Sequence, residues 1–316
     1  MIRWSHPERD SDLPAPLRDH AVSREPIAAG ASTALLERLV LPGGRRLVSK
    51  HIAAELDWMM RATNDSGRAA ELWVSGAMDR LPAVIDPALV RIEDGWYLYM
   101  EEVEFHRRGT RFSAEQITRV LDALADMHAA YWQGPPAGLC RLGDLLTLLA
   151  PERVASADPG FAEFVRGGWE LFPELVPSEV ADAVLALLDD PSPLVATLEL
   201  HGLTLLHSDP HFGNAVLLPD RLVLIDWSLA AAGPPAIDFV WFLDQSHAFL
   251  DASHDEVVEL FLRAEDGRVQ DEMLDAACLA QLVNTGWQVR HWLDGEDSAA
   301  HRANLDWFVA RARNAL

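Results

Sequence analysis

The stretch Leu206-His207-Ser208-Asp209-Pro210-His211-Phe212-Gly213-Asn214, followed some ten residues later by Ile225-Asp226-Trp227, decides how this chain is read. Two short apolar runs, 214–218 and 222–227, flank Pro219-Asp220 and predict a tight β-hairpin. Asp209 and Asn214 are separated by a loop holding Pro210 and Gly213, and Asp226 ends the far arm of the hairpin. A segment of this length can gather all three at the hairpin's open end. Two carboxylates and an amide are hard oxygen donors. They suit Mg²⁺, which takes few protein ligands and relies on substrate phosphates for the rest.

Phosphoryl transfer needs a carboxylate to orient and deprotonate a hydroxyl, an Asn and an Asp to hold metal, and a lysine on the nucleotide phosphates. The spacing H-x-D-x-x-x-x-N, with an Asp after the next apolar strand, is the kinase catalytic-loop pattern. The composition points to the lysine. Of 26 Lys+Arg in 316 residues, Lys50 is the only lysine. In so arginine-rich a chain, a retained lysine marks a place where a compact ammonium is needed and a planar guanidinium will not serve.

Other classes drop out. With 49 Asp+Glu and a net charge of −23, the chain lacks the clustered cations of a nucleic-acid binder or an anionic-membrane binder. Leu47-Val48-Ser49 before Lys50 excludes a P-loop. Apolar runs such as 145–150 and 183–188 fall short of the ~20 residues that span a bilayer. Cys140 and Cys278 make no disulfide framework, so a reducing cytoplasm is the expected location. Residues 1–20 are polar and proline-studded and read as a leader, not a signal peptide.

Along the chain, 21–103 has a β-rich texture. Strands are expected over 35–41 and 46–52, joined by Pro42-Gly43-Gly44, and over 84–93 and 96–103, joined at Asp94-Gly95. One helix, 68–79, starts after Asn64-Asp65-Ser66-Gly67. From 104 to 316 the texture is helical. Ser113-Ala114-Glu115-Gln116 reads as a capping box opening a helix with Ile117, Val120, Leu121, Leu124 and Ala125 on one face. Further helices are expected over 142–149, 161–171 and 177–188, and beyond 236. Trp287, His291 and Trp292 share a helical face, read first as core and second as a wall of an acceptor cleft.

With these residues in place, the sequence resembles the aminoglycoside phosphotransferase/choline kinase family. His207–Asn214 is similar to its H-x-D-x-x-x-x-N, Leu222–Trp227 to its metal-binding I-D-[FW], Gly233–Asp238 to its Gly…Pro…Asp stretch, and Leu121–Trp132 to a helix ending "LH…W". The resemblance implies an α+β, bilobal protein-kinase-like fold. Its N-lobe (21–103) is a small antiparallel sheet with one helix, and its C-lobe (104–316) is larger and mostly α-helical. It implies an ATP- and Mg²⁺-dependent kinase acting on a hydroxyl of a small molecule such as an aminoglycoside or amino sugar, with no nucleic-acid or membrane partner. Asp209 would be the base, Asn214 and Asp226 the metal ligands, and His207 and Asp238 braces of the loop. Lys50 would meet the phosphates with Glu71 as its helix partner, Glu55 being the weaker alternative. Glu101 and Val103 would offer hinge backbone to adenine, and Gly30 and Ser32 would lie in the phosphate-covering loop. That loop has one glycine, and Trp227-Ser228 stands where protein kinases have Phe-Gly, so protein substrates are not expected.

Two other readings stay open. His207, Asp209 and His211 form H-x-D-x-H, a metallohydrolase-like cluster that leaves Asn214, Asp226 and Lys50 unexplained. A catalytically weak nucleotide-binding scaffold is the other. Asp244 and Asp251 are candidate carboxylates for a cationic acceptor.

Overall fold

The computed structural model describes residues 21–27, 34–81, 88–92 (as backbone), 95–105, 109–289 and 298–316. Gly30, Ser32, His291 and Trp292 lie outside the described residues, as do the leader 1–20 and Asp94.

The first part of the chain is an antiparallel sheet of five strands. β1 (Ser23–Ile27), β2 (Leu35–Val40), β3 (Arg46–Ile52), β4 (Ala88–Ile92) and β5 (Gly95–Glu101) lie in the order β1-β2-β3-β5-β4. The β2–β3 turn forms where expected. Gly43 and Gly44 take φ of 90° and 84°, which glycine adopts without a Cβ penalty, while Leu41 N–H donates to Arg45 O at 2.8 Å. Gly95 (φ 142°) lets β5 approach β3 so closely that an added Cβ would sit 2.1 Å from the Ile52 carbonyl oxygen. The strand period of two then sorts the side chains. Leu39, Leu47, Tyr97 and Tyr99 pack together as one small core, while Val48, Lys50, Leu98 and Met100, paired in register across β3 and β5, line a cavity on the other face.

Two short helices follow β3. Asp57 caps α1 (Trp58–Ala62) by accepting from Met59 N–H at 2.9 Å. Asp65 Oδ1 accepts from Gly67 N–H at 2.7 Å and from Arg68 N–H, which starts α2 (Arg68–Val74). The single helix expected over 68–79 is broken. α2 ends at Val74, Gly76 turns the chain at φ 76°, and a 3₁₀ turn covers Ala77–Arg80.

The remainder is mostly helical. In α3 (Ala114–Ala130) both arms of the capping box form, between Ser113 and Gln116, and Ile117, Val120, Leu121, Leu124 and Ala125 are buried as the periodicity requires. α4 (Leu142–Leu146), α5 (Pro159–Leu175), α6 (Ser178–Asp189) and α7 (Ser192–Glu199) follow. Two small antiparallel ladders come next: β6 (Thr204–Leu206) with β9 (Ala231–Gly233), and the hairpin of β7 (Ala215–Leu217) with β8 (Leu222–Leu224). The hairpin closes as expected, Leu218 N–H donating to Arg221 O across Pro219-Asp220. Then come α8 (Ala236–Ser246), α9 (His254–Ala264), α10 (Asp271–Thr285) and α11 (Ser298–Ala312).

From Ala276 to Thr285, α10 is buried on every face, with α6, α7, α8 and α11 around it. Trp287 continues that core, edge-on to Phe161 and Phe164. Among the described residues no helix is long and apolar enough to cross a membrane.

Candidate active site

The loop between β6 and β7 carries Asp209 and Asn214, and the residue after Ile225 at the end of the hairpin is Asp226. The folded chain brings them together. Asn214 Nδ2 donates to Asp209 Oδ2 at 2.6 Å and to the Asp209 carbonyl at 3.2 Å. Lys50 Nζ reaches across from β3 to Asp226 Oδ1 at 2.6 Å, with the lysine side chain only 8% exposed. Lysine and aspartate are 176 residues apart in sequence, so this contact fixes the sheet against the helical part of the chain.

The loop is pinned from beneath. Asp238, at the start of α8 and wholly buried, accepts from the backbone N–H of His207 at 2.9 Å and of Ser208 at 2.7 Å. These bonds hold Ser208 at φ 70°, a left-handed conformation costly for a residue with a Cβ. Asp226 sits in the same region at φ 63°. His207 Nδ1 accepts from Asp209 N–H at 3.3 Å and its Nε2–H donates to the Ile225 carbonyl at 2.9 Å. Burial lowers the pKa of His207, in keeping with a neutral ring that ties the loop to the hairpin.

Asp238 is itself held by His128 of α3, whose two ring nitrogens face carboxylates, Asp238 Oδ2 at 3.2 Å and Glu265 Oε1 at 2.7 Å. A neutral imidazole has one N–H and cannot donate both ways. Burial alone would lower the pKa of His128, but the bonds to Asp238 and Glu265 outweigh it and raise it to about 9.

Trp241, which motif spacing does not reveal, and His211 complete the surroundings of Asp209. Trp241, one turn beyond Asp238 on α8, donates Nε1–H to Asp209 Oδ1 at 2.6 Å. His211 Nδ1 accepts from Gly213 N–H at 3.0 Å, leaving Nε2–H toward the same oxygen at 3.3 Å. Burial, with His207 nearby, takes His211 down to about 4, so the ring is neutral near pH 7. Burial first, and the charge of Asp226 second, push the Asp209 carboxyl well above the usual range. Burial pushes Asp226 the same way, but Lys50 and Ser228 overcome it and hold that carboxyl at about 2. Two neighbouring carboxyls are thus separated, one basic and one firmly ionised.

The cavity beside Lys50 encloses about 390 Å³. The sheet contributes Leu36, Val48 and Met100, and the hairpin Leu224 and Ile225. Glu101, Glu102 and Val103 also line it. Their carboxylates are drawn off by arginines: Arg38 and Arg46 both donate to Glu102, and Arg45 to Glu101.

Glu71 is placed elsewhere. Ala69 and Trp73 are the α2 residues that line the Lys50 cavity, whereas Glu71 lines a separate cavity with Asn64, Ser66 and Arg141 and accepts from Ser66 Oγ at 3.4 Å. Residues two apart on a helix do not share a face. Among the described ion pairs, Lys50 meets Asp226 and not Glu71 or Glu55. Asp244 is buried and accepts from Gln281 at 2.7 Å, Asn304 at 2.6 Å, Thr285 and Gln245, and Asp251 is paired with Arg111. Both candidate acceptor carboxylates are therefore engaged by the protein. Among the described residues no group of three or more His, Cys, Asp or Glu side chains can hold a metal, which leaves the H-x-D-x-H reading without a ligand set.

A five-stranded sheet over a helical bundle, with these residues between them, defines a kinase-like phosphotransferase. Residues 25–276 match the model of the Phosphotransferase enzyme family (APH), and the chain belongs to that family. Solved structures agree in fold. Choline kinase LicA from Streptococcus pneumoniae is 18% identical, with 97% of each chain covered and a TM-score of 0.54. The spectinomycin phosphotransferase APH(9)-Ia, solved with ADP and spectinomycin, is 13% identical over 93% of each chain at 0.54. Amicoumacin kinase hAmiN, solved in complex with AMP-PNP, Ca²⁺ and Ami, is 12% identical, covering 91% of this chain and 88% of its own, at 0.53. No curated protein sequence matches the chain.

Proposed function

We propose that this family member is an ATP- and Mg²⁺-dependent kinase that phosphorylates a hydroxyl of a small, soluble molecule, with Asp209 as the base. The observation that carries the reading is the two bonded pairs, Lys50 with Asp226 and Asn214 with Asp209, beside a nucleotide-sized apolar cavity.

In this reading adenine occupies the cavity, its edge bonded by the backbone of Glu101 and Val103. Lys50 pairs with the phosphates. Asn214 and Asp226 hold the divalent ion. The donor set fits it: Asn214 spends its Nδ2 on Asp209, leaving an amide oxygen as its acceptor end, and both bonds to Asp226 among the described residues fall on Oδ1. Two hard oxygen ligands with nucleotide phosphates supplying more is a magnesium arrangement. The ion, when bound, neutralises charge on the phosphates.

Asp209 accepts the proton of the acceptor hydroxyl. The hydroxyl oxygen forms a bond to the γ-phosphorus as the bond from that phosphorus to the β–γ bridging oxygen breaks, and ADP departs. A carboxylate raised by burial is a better proton acceptor than a solvated one. Trp241 Nε1–H and Asn214 Nδ2–H orient it. The acceptor class favoured is the aminoglycosides and amino sugars, a spectinomycin phosphotransferase being among the proteins of the same fold.

Titrating Mg·ATP into the wild-type protein should raise its melting temperature, and Asp226→Ala should abolish that shift. A shift equal to wild type in Asp226→Ala contradicts the metal assignment. A coupled ADP-release screen over hydroxylated antibiotics, amino sugars and amino alcohols then finds the acceptor.

A further inference from the structure

In the arrangement the sequence leads one to expect, a glutamate on the helix beside the sheet holds the phosphate-binding lysine. Here the helix face turned to that lysine carries Ala69 and Trp73, and the one nearby helix carboxylate, Glu71, lies over another cavity. What holds Lys50 comes instead from the metal-loop turn. Ser228 Oγ accepts from Lys50 Nζ at 2.8 Å and donates to Asp226 Oδ1, to which Lys50 is also bonded at 2.6 Å. Lysine, serine and aspartate close a triangle. Two of the three ammonium donors are directed by it.

The serine is tied back to the helix. Arg68, the first residue of α2 and only 4% exposed, donates from Nη1 to the Ser228 carbonyl and from Nη2 to the Thr63 carbonyl at 3.2 Å. Its own backbone N–H is held by Asp65, whose second oxygen lies 3.6 Å from Nη1. α2 packs on the turn Trp227–Leu229 that carries the serine. The coupling between helix and lysine that a glutamate would give directly runs here from α2 through Arg68 to Ser228 and then to Nζ.

We propose that Ser228, anchored by Arg68, is the residue that positions Lys50 for the nucleotide phosphates, and that Glu71 has no part in it. This rests on the phosphotransferase reading of the site. Ser228 carries no charge, so it can orient the ammonium without neutralising it, leaving Asp226 as the only carboxylate in direct contact with Lys50 among the described residues. A helix glutamate in the same place would add a second.

The test compares Mg·ATP with adenosine, which fills the cavity but has no phosphates for Lys50 to meet. Both dissociation constants are measured by calorimetry on the full-length protein for wild type, Ser228→Ala, Ser228→Thr and Glu71→Gln. The expected result is Mg·ATP affinity at least tenfold weaker in Ser228→Ala with adenosine affinity held, recovery in Ser228→Thr, which restores the hydroxyl, and wild-type values for both ligands in Glu71→Gln. A merely structural serine would weaken adenosine in parallel. Wild-type Mg·ATP affinity in Ser228→Ala, parallel loss of both ligands, or a loss in Glu71→Gln matching that in Ser228→Ala overturns the proposal while leaving the kinase reading intact. Failure of the wild-type protein to bind Mg·ATP at all overturns both.

Discussion

Asp209 owes its chemistry to what surrounds it, and most of that is contributed by single residues with one bond each. Trp241 is the clearest case. Its indole N–H is 2.6 Å from Oδ1, and a hydrogen bond to a charged acceptor is worth ~1.5–3 kcal/mol. Trp241→Phe keeps the ring and deletes the donor. We expect kcat to fall about tenfold or more with little change in KM for ATP, since the indole touches Asp209 and does not line the cavity. An unchanged kcat would show that the indole only packs. Lys50→Arg is the companion test on the nucleotide side. The lysine side chain is 8% exposed and must fit between Asp226 and Ser228, a space for a compact ammonium and not for a planar fork. Steady-state kinetics should show kcat/KM for ATP reduced by at least a hundredfold despite the retained charge, and a variant near wild-type efficiency would return the lone lysine to compositional accident. Asp209, Asn214 and Asp226 were legible because their spacing is itself chemical, and Lys50 because it is the only lysine in the chain. Trp241 was not, because an indole on an amphipathic helix reads as core until the loop it faces is placed. Arg68 was hidden among many arginines. Glu71 was misleading for a related reason: spacing locates a helix but not which of its faces turns inward, and a rotation of two residues sends a carboxylate to the far side.

Elements were legible in proportion to how locally they are specified. The hairpin at Pro219-Asp220, the turn at Gly43-Gly44 and the capping box at Ser113 depend on a few adjacent residues and form as expected. The helix expected over 68–79 stops at Val74 because Gly76 takes a left-handed φ, and β1 was missed because Ser23–Ile27 carries no apolar alternation and is held by its pairing with β2. Helix–helix contact is the least local feature of all. Gly168 in the middle of α5 looks like a helix-weakening accident, and replacing it by alanine would gain ~1 kcal/mol of helix propensity. Yet an added Cβ would lie 1.8 Å from the Trp287 carbonyl oxygen, which is backbone and cannot swing aside. Overpacking against fixed atoms costs about 1–3 kcal/mol, so the clash wins. Gly168→Ala should therefore lower the melting temperature by several degrees, as differential scanning calorimetry would record. A higher melting temperature would mean that α5 and the 286–288 turn are not packed this closely.

For the whole molecule, the acidic excess is a property of the surface, while the charge that matters to the fold is buried. His128 links α3, α8 and α9 by holding Asp238 and Glu265 at once, and Asp238 in turn holds the loop bearing Asp209. The folded pKa of His128, about 9, lies above the unfolded 6.5, so its contribution to stability is fully present below about pH 6.5 and is lost as pH rises through 9. Melting temperature should fall between pH 7 and 10, and His128→Gln should be less stable at pH 7 with a flatter profile over that range. An equally steep profile in His128→Gln would assign the pH dependence to other groups.

In the proposed reaction Asp209 takes the proton of an acceptor hydroxyl in a Mg·ATP-dependent phosphoryl transfer. Once the acceptor screen has returned a substrate, phosphorus NMR of wild type and Asp209→Ala with Mg·ATP tests that step directly. Wild type should produce ADP and a phosphomonoester of the acceptor, while Asp209→Ala, still binding Mg·ATP, should be slower by several orders of magnitude. Wild-type turnover in Asp209→Ala would rule out Asp209 as the base.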